Sequence, residues 1–228
     1  MLLIIIQARI GSKRLPGKVL MRFLNKPVLQ ILIEKLKKIR VKKLIVVATS
    51  RRKEDDQIIK ACKNLKINYF RGDLKNVAKR FYQIVLKYNK CEYFGRLSAD
   101  SPLIDLRIIN KIIKLRNKNY HIVTNVFPRT YPKGQSFELI KAKFFLEKFR
   151  YLKTNQDKEH VTKKLYKINN VKILNIKSKL NFSNYSLALD TLDDYMFYKF
   201  LFKNYKDESF ILNFKQLIDI KKHYERKN

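Results

Sequence analysis

Residues 1–19, MLLIIIQARIGSKRLPGKV, place a cationic loop directly after an apolar strand. The run over residues 2–6 has the length and composition of one strand that is buried on both faces. The loop that follows holds two glycines, one serine and four cations, Arg9, Lys13, Arg14 and Lys18. Glycine lets the backbone approach a ligand closely, and N–H groups and cations bind phosphate oxygens. The stretch therefore predicts an anion site at the carboxyl edge of a sheet, with a solvated basic turn as the alternative.

The composition indicates a folded protein with a large excess of cations. Its 228 residues are 46% hydrophobic, which is enough for one domain with a sizeable core. The formal net charge of +33 would by itself favour nucleic acid or anionic membrane surfaces as partners. However, the lysines are spread along the whole chain, and no RNP, KH or zinc-finger pattern is present. The charge is therefore interpreted as a solvated coat, and no specific nucleic-acid partner is predicted.

Membrane spans, secretion signals and cysteine-based sites are not predicted. No apolar run approaches the roughly 20 residues of a membrane span, and residues 2–6 are too short for a secretory signal. Cys62 and Cys91 are too few for a disulfide framework, and no CxxC or HxxxH spacing suggests zinc. A cytoplasmic location is expected, with both cysteines buried.

Apolar strands alternate with helical patterns along most of the chain. Asp73 and Asp105 are expected to cap the helices that follow them. Strands are predicted at 2–6, 44–48, 67–70, 93–97, 121–125, 171–176 and 187–189, and helices at 27–40, 54–65, 73–89, 106–115 and 210–222. This alternation is typical of an α/β, Rossmann-like, doubly wound and mostly parallel sheet. A single domain of residues 1–228 is expected, with 205–228 as a C-terminal helical extension.

Two aspartates at the predicted carboxyl ends of strands are candidates for chemistry. Asp100 follows the strand at 93–97, where a metal bound to phosphate needs an oxygen ligand. Mg²⁺ is usually held by one or two carboxylates together with substrate phosphates. Near the other end of the chain, Thr191 and Asp194 have capping-box spacing, which leaves the adjacent Asp190 without a structural explanation.

The order of residues in the opening loop points to a known family. It matches neither a Walker loop nor GxGxxG, but QARIGSKRLPGK at 7–18 resembles the signature of sugar nucleotidyltransferases that make CMP-activated acidic sugars. Within that group it is most similar to the cytidylyltransferases of the spore coat polysaccharide biosynthesis F type, which are related to CMP-KDO synthetase. The resemblance implies that the loop wraps the triphosphate of CTP. The nucleotide-binding residues it implies are Ala8, Arg9, Gly11, Ser12, Arg14, Lys18, Arg80 and Ser98, and the catalytic ones are Arg14, Lys18 and Asp100.

Two further segments extend the resemblance to a metal site. RLSADSPLID at 96–105 is similar to the family's second motif, in which the residue at Asp100 binds the metal and the residue at Ser98 contacts the cytosine. DTLDD at 190–194 resembles the closing motif, which supplies a second metal-binding carboxylate at Asp190. The implied cofactor is Mg²⁺ held by Asp100 and Asp190. For Arg80, a surface helix cation is the alternative to a nucleotide contact.

The resemblance also implies a binding site for an acceptor sugar. The loop FPRTYPKG at 127–134 would border it, and KEHVT at 158–162 resembles a segment that closes over the sugar. The implied substrate-binding residues are Arg129, Lys133, Glu138 and His160, and the two cations suit a carboxylate on the sugar. The alternatives are an ordinary connecting loop and, for His160, either a structural role or acid–base catalysis.

Three residues depart from the family pattern. Lys79 stands where an acid usually precedes the nucleotide-binding arginine, Ser136 stands where relatives often have an acid, and Leu192 replaces a proline. The first departure bears on recognition of the base, and the second bears on recognition of the acceptor.

The sequence therefore predicts a cytidylyltransferase that moves CMP from CTP to an acidic sugar and releases pyrophosphate, for a surface polysaccharide or glycan. The sugar would be KDO-like or a nonulosonic acid, and the resemblance alone implies a homodimer. One alternative keeps the fold but uses another nucleotide or a sugar phosphate. A more distant alternative is a non-catalytic basic protein that binds RNA or membranes.

Overall fold

The apolar strand at the start of the chain lies in the interior of the sheet. The computed structural model describes residues 1–116 and 119–227. Its strands are β1 (Leu2–Gln7), β2 (Arg22–Phe23), β3 (Lys26–Pro27), β4 (Lys43–Ser50), β5 (Asn68–Gly72), β6 (Tyr93–Ser98), β7 (Ile122–Thr124), β8 (Glu138–Lys141) and β9 (Ile173–Asn175). β1 pairs in parallel with β4 on one side and with β6 on the other. The apolar run is buried throughout, as its composition predicts.

Seven of the strands found in residues 1–116 and 119–227 form one sheet, in the order β5-β4-β1-β6-β8-β7-β9. The first four of these are mutually parallel, β8 is antiparallel to both β6 and β7, and β9 is parallel to β7. The predicted α/β, mostly parallel sheet is confirmed. β8 is not predicted from the sequence, because its residues ELIK lack the alternation of a half-buried strand.

Helices cover both faces of this sheet. They are α1 (Val28–Lys37), α2 (Asp56–Asn64), α3 (Val77–Lys87), α4 (Leu106–Lys114), α5 (Ala142–Lys148), α6 (Asn155–His160), α7 (Leu192–Tyr205) and α8 (Phe214–Lys227), with short 3₁₀ turns at Lys18–Leu20, Lys53–Asp55, Phe149–Tyr151, Leu165–Lys167 and Lys206–Phe210. Leu2, Ile4 and Ile6 of β1 pack in the core formed with α1, α4 and α7. Leu3 and Ile5 pack on the opposite face with α3 and α5. Both faces of β1 are therefore buried, as expected for an interior parallel strand.

The helix caps agree only in part with the sequence patterns. Asp105 caps α4 as predicted, because its side chain accepts a hydrogen bond from the N–H of Arg107 at 2.9 Å. The prediction that Asp73 caps α3 is wrong. Asn76 is the cap, and Asp73 Oδ1 instead accepts from the N–H groups of Lys75 and Asn76, at 2.8 Å each, in the turn before the helix. An aspartate close to a helix start can satisfy either arrangement.

The segment predicted as a strand at 187–189 forms no strand, and the adjacent Ser186 makes an isolated bridge to Lys133. Leu187 donates to the carbonyl of Lys133 at 2.8 Å, and Leu189 donates to the carbonyl of Asp100 at 2.8 Å. The two hydrogen bonds go to different loops, so no ladder forms. Their consequence is that the residue after Leu189 is held beside Asp100.

The cysteines and the helix lengths complete this description. Cys62 and Cys91 are free and buried, and burial raises the pKa of the Cys62 thiol to about 12. Among the residues described, no helix combines the length and the apolar character of a membrane span.

Candidate active site

The loop after β1 closes on Ile10. The backbone oxygen of Ile10 accepts hydrogen bonds from the N–H of Ser12 at 2.7 Å and the N–H of Gly17 at 3.0 Å. Gly17 has a φ of 71°, in the left-handed region that favours glycine, and it leads directly into the 3₁₀ turn at Lys18. The residues that predict an anion cradle thus form a closed loop at the carboxyl end of β1.

Lys18 brings together two carboxylates that are distant in the sequence. Its Nζ lies 2.6 Å from Oδ2 of Asp100 and 2.9 Å from Oδ1 of Asp190, and its side chain is only 10% exposed. Arg14 pairs with Oδ2 of Asp190 from the solvent side. The structure therefore assembles at one point the four residues that the sequence predicts as catalytic or metal-binding.

Asp190 is held in this position from two sides. Its N–H donates to Oδ2 of Asp194 at 3.0 Å, and the preceding Leu189 is bonded to the backbone of Asp100. Asp194 Oδ2 also accepts from the N–H of Thr191 at 3.0 Å, and the N–H of Asp194 donates to Oγ1 of Thr191 at 3.2 Å, which together form the predicted capping box of α7. The helix cap and the loop after β6 together fix the second carboxylate.

The cations around Asp190 favour its ionised form. Partial burial opposes ionisation, but hydrogen bonds and charge from Lys18 and Arg14 outweigh it and hold the pKa of Asp190 below its ordinary value. Oxygens of Asp100 and Asp190 therefore converge on one cation, and two carboxylates beside a phosphate-binding loop are a donor set that fits Mg²⁺. Residues 1–116 and 119–227 contain no cluster of three or more His, Cys, Asp or Glu that could hold a metal alone. A metal here would complete its shell with substrate oxygens and water.

A cavity of about 420 Å³, the phosphate cavity, opens above the ends of β1 and β6. It lies over the loop and contains both the cations and the carboxylates described above. Its lining residues are Gln7, Ala8, Arg9, Ser12, Lys13, Arg14, Lys18, Val19, Ser98, Asp100, Glu159 and Asp190. All the predicted nucleotide-binding residues except Gly11 and Arg80 line this cavity.

Gly11 is exposed and Arg80 is buried, and neither lines the phosphate cavity. Of the atoms that the structure describes, a Cβ added to Gly11 would meet only Oε1 of the exposed Glu54 side chain, at 3.0 Å. Arg80 is 1% exposed, and its Nε and Nη1 have no hydrogen-bond partner in the described part of the chain. Burial lowers the pKa of Arg80 to about 10, although the charge of Asp55 acts in the opposite direction. The alternative of a surface cation is therefore wrong.

A second cavity of about 430 Å³, the acceptor cavity, lies next along the sheet, above the end of β6 and the start of β8. Its lining residues are Arg96, Leu97, Ser98, Val126, Phe127, Arg129, Ser136, Glu138, His160, Thr162, Lys163, Tyr166 and Lys167. Ser98 lines both cavities, so they are adjacent. The lining includes three of the four predicted substrate-binding residues, together with Lys163 and Lys167, which the sequence analysis does not single out.

Lys133 is the predicted substrate-binding residue that does not line this cavity. Its N–H donates to the carbonyl of Tyr185 at 3.0 Å, and its own carbonyl accepts from Leu187 at 2.8 Å. The side chain is exposed. The structure gives this residue a backbone role in holding the segment that leads to Asp190, and we do not assign it to the acceptor.

Glu138 is buried, and its negative charge is compensated by an ion pair with Arg96. Its Oε2 accepts from Nη1 of Arg96 at 2.5 Å, its Oε1 accepts from the hydroxyl of Tyr166, and its side chain is 6% exposed. Burial, followed by the charge and the hydrogen bond of Glu138, raises the pKa of Tyr166 well above its ordinary value. Glu138 therefore braces the wall of the acceptor cavity and adds no uncompensated charge to it.

Arg129 has no such compensation. Its Nη1 donates to the hydroxyl of Ser136 at 2.9 Å, and among the described residues no carboxylate lies within ion-pair distance of it. Burial lowers the pKa of Arg129, against the attraction of the more distant Glu138. With Lys163 and Lys167 on the same lining, the acceptor cavity is cationic.

His160 and His121 lie in different surroundings. His160 ends α6 and lines the acceptor cavity. His121 stacks on Phe144, with 4.6 Å between ring centroids, and its Nδ1 accepts from the N–H of Lys172 at 3.0 Å. The structure therefore places His160 where a substrate contact is expected and gives His121 a packing role.

Comparison with known proteins identifies the family. The model of the cytidylyltransferase family matches residues 3–227. The chain belongs to the cytidylyltransferase family. This cytidylyltransferase is 33% identical to an uncharacterised protein of Methanocaldococcus jannaschii, over 94% of the chain and 88% of the relative. It is 29% identical to the spore coat polysaccharide biosynthesis protein SpsF of Bacillus subtilis, over 89% of the chain and 86% of that protein.

Solved structures agree with this assignment. A cytidylyltransferase from Leptospira borgpetersenii has a TM-score of 0.88 and 27% identity, covering 99% of this chain and 95% of that one. CMP:2-keto-3-deoxy-manno-octonic acid synthetase, solved with CTP, has the same fold, with a TM-score of 0.68 at 16% identity over 89% of this chain and 98% of that one. The predicted family and enzyme class, a nucleotidyltransferase, are confirmed.

Some residues around the cytidylyltransferase site carry weak sequence signals. Lys163 and Lys167 are spaced four apart after the EHVT segment, but lysines at this spacing occur throughout this chain. Arg96 and Tyr166 become meaningful only when the fold brings them to Glu138, 42 and 28 residues away in sequence. Long-range pairs of this kind are invisible to a local pattern.

Proposed function

We propose that this cytidylyltransferase transfers CMP from CTP to a sugar that carries a carboxylate. The observation that carries the proposal is the pair of adjacent cavities, which share Ser98. One holds Arg14 and Lys18 with two carboxylates, as a triphosphate and a metal require, and the other presents the uncompensated Arg129. The names of the similar proteins, a CMP-sugar synthetase and a polysaccharide biosynthesis protein, support the same substrate classes.

The proposed reaction is an in-line displacement at phosphorus. The sugar hydroxyl oxygen bonds to the α-phosphorus of CTP, and the bond from that phosphorus to the oxygen that bridges to the β-phosphate breaks. Pyrophosphate leaves with the electron pair, and the hydroxyl proton passes to solvent. Arg14 and Lys18 would stabilise the charge on the triphosphate and the departing pyrophosphate, since such reactions depend chiefly on positioning and charge stabilisation.

Asp100 and Asp190 are the residues that would hold Mg²⁺. Their oxygens already converge on the ammonium of Lys18, so the pair is preorganised for a cation. When bound, the ion supplies charge neutralisation at the phosphates and polarises the attacking hydroxyl. Lys18 keeps the two carboxylates close together, and its charge helps to hold the pKa of Asp190 below its ordinary value.

The positive charge of the acceptor cavity favours an acceptor that carries a negative charge. Arg129 is held by Ser136 and presents a planar guanidinium that can bind a carboxylate through two hydrogen bonds. Lys163 and Lys167 add positive charge to the same lining. These cations also fit a sugar phosphate, which is the second candidate for the acceptor.

The test is pyrophosphate release, measured with each of CTP, UTP, GTP and ATP against carboxylated sugars, the matching neutral sugars and sugar phosphates. We expect release with CTP and a carboxylated sugar, abolished by removal of Mg²⁺. Asp100→Asn should lower kcat by about 10²–10³. Asp193→Asn is the matched control, because Asp193 is exposed in the first turn of α7 and does not line the phosphate cavity.

The other outcomes overturn separate parts of the proposal. Turnover with another nucleotide would refute the choice of base, and equal use of a neutral sugar would refute the role of Arg129. Turnover with sugar phosphates alone would move the assignment to the second candidate. Full activity without a divalent ion would refute the metal site.

A further inference from the structure

Asp55 is a fully buried carboxylate beneath the phosphate-binding loop, with 0% exposure. It lies in the 3₁₀ turn Lys53–Asp55 before α2 and lines neither of the two substrate cavities. Its Oδ1 accepts from the N–H of Ile10 at 2.8 Å. Its Oδ2 accepts from the N–H of Ser50 at 3.1 Å and from the Ser50 hydroxyl at 2.5 Å.

These hydrogen bonds join two elements at the carboxyl edge of the sheet. Ser50 is the last residue of β4, and Ile10 is the residue on which the loop after β1 closes. The N–H of Ile10 is held by Asp55, while its carbonyl is held by the N–H groups of Ser12 and Gly17. Hydrogen bonds to both the N–H and the carbonyl of Ile10 therefore fix the base of the loop.

The hydrogen bonds require a carboxylate rather than an amide at this point. The three donors converge on two oxygens, and an amide in the same place would turn an N–H₂ group toward at least one N–H donor. Burying a carboxylate is costly unless it is fully hydrogen-bonded. Arg80, itself buried, is the cation whose charge couples to Asp55.

We infer that Asp55 is a positioning residue for the nucleotide, which acts by holding the loop that carries Arg9, Ser12, Arg14 and Lys18. It does not touch the substrate. This inference rests on the proposed function, because the loop is the predicted triphosphate site. Loss of the carboxylate frees Ile10 and lets the loop shift, and a displacement of about 1 Å in a binding group can cost about 100-fold in rate.

The test compares Asp55→Asn with Asp56→Asn. Asp56 is the adjacent carboxylate, exposed and paired with Arg71 at 2.7 Å on the outside of the molecule. For Asp55→Asn we expect a 10- to 100-fold loss of CTP affinity, measured by calorimetry without acceptor, and a similar rise in the Ki of pyrophosphate, as expected for loss of a charged hydrogen bond that positions the loop. The KM of the acceptor should not change. Asp56→Asn should leave all three values at those of the wild type.

Ser50 provides a milder variant that keeps the buried charge. Ser50→Ala removes one donor to Asp55 and should weaken CTP binding severalfold, and Ser50→Thr should restore it because threonine keeps the hydroxyl. Unchanged CTP affinity in a folded Asp55→Asn protein, or in Ser50→Ala if Asp55→Asn does not fold, would overturn the inference. A parallel loss of CTP and acceptor affinity would also overturn it, since that pattern indicates general unfolding. Wild-type protein that binds CTP but turns over no acceptor would refute the proposed function, and the calorimetric comparison would still decide the role of Asp55.

Discussion

Ser136 leaves the positive charge of Arg129 in the acceptor cavity uncompensated. Its hydroxyl holds the guanidinium at 2.9 Å without neutralising it. Ser136→Asp would place a carboxylate within ion-pair distance and cancel that charge. We expect the KM of a carboxylated acceptor to rise about 10-fold or more, with the KM of CTP unchanged, in steady-state assays that vary each substrate in turn.

Ser136→Ala is the control for this variant. It removes the same hydroxyl but leaves the charge of Arg129 in place, so the KM of the acceptor should change much less than in Ser136→Asp. An equal rise in both variants would show that the hydrogen bond, rather than the charge, matters for acceptor binding.

At the scale of single residues, the sequence predicts a site residue when that residue belongs to a recognised motif. Arg14, Lys18 and the two aspartates belong to contiguous motifs, and the fold brings them together as predicted. Asp55 is missed because an acid at the start of a helix is ordinarily explained by the helix dipole. Only the fold shows that its carboxylate points inward to Ile10 and Ser50 instead.

At the scale of elements, apolar runs predict the interior parallel strands and also β7 and β9 in the other half of the sheet, but not β8. β1 and β4 lie in the interior of the sheet, so residues 2–6 and 44–48 are continuously apolar. β8 is inserted antiparallel between β6 and β7 and begins with the buried Glu138, which carries no strand signal. Its position depends on long-range pairs with Arg96 and Tyr166.

The N-terminus of α7 couples helix stability to the active site. Thr191→Ala removes the side-chain half of the capping box and should lower the free energy of unfolding by about 1 kcal/mol. Because Asp194 also holds the N–H of Asp190, we expect kcat to fall together with stability. Urea unfolding and pyrophosphate release measure the two effects.

A second capping box in the same protein provides a matched comparison. Thr154 and Asp157 form it at the start of α6. Thr154→Ala should cost a similar amount of stability, about 1 kcal/mol, and lower kcat less than Thr191→Ala does, because the capping hydrogen bonds of Thr154 and Asp157 join these two residues to each other. If Thr191→Ala lost stability but kept full kcat, the cap would not be needed to place Asp190.

At the scale of the whole molecule, the net charge of +33 is carried mostly by exposed side chains, but Lys35 is an exception. It is 5% exposed on α1, and in the part of the chain that the structure describes its Nζ has no hydrogen-bond partner. Burial lowers the pKa of Lys35 from 10.5 to about 8, although Asp105 opposes the change. Between these values the unfolded chain binds more protons than the folded one, so this residue makes stability increase as the pH rises through that window.

Lys35→Met should remove this contribution. We expect the variant to be more stable than the wild type at pH 7 by roughly 3 kcal/mol, since each pKa unit corresponds to about 1.4 kcal/mol. The difference should shrink as the pH approaches 10. Urea unfolding of both proteins at several pH values from 7 to 10 measures it, and a difference independent of pH would contradict the assignment.

The interior position of β1 has a consequence for the order in which this enzyme can mature. During translation β1 and the loop emerge before β4 and β6, the strands on either side of it. Lys18 emerges with neither of its carboxylate partners, and Asp190 is supplied only near the end of synthesis. A chain interrupted before that point retains most of the sheet but lacks one side of the pair around Lys18. Under the proposed function, an unfinished copy therefore lacks one of the two carboxylates for Mg²⁺.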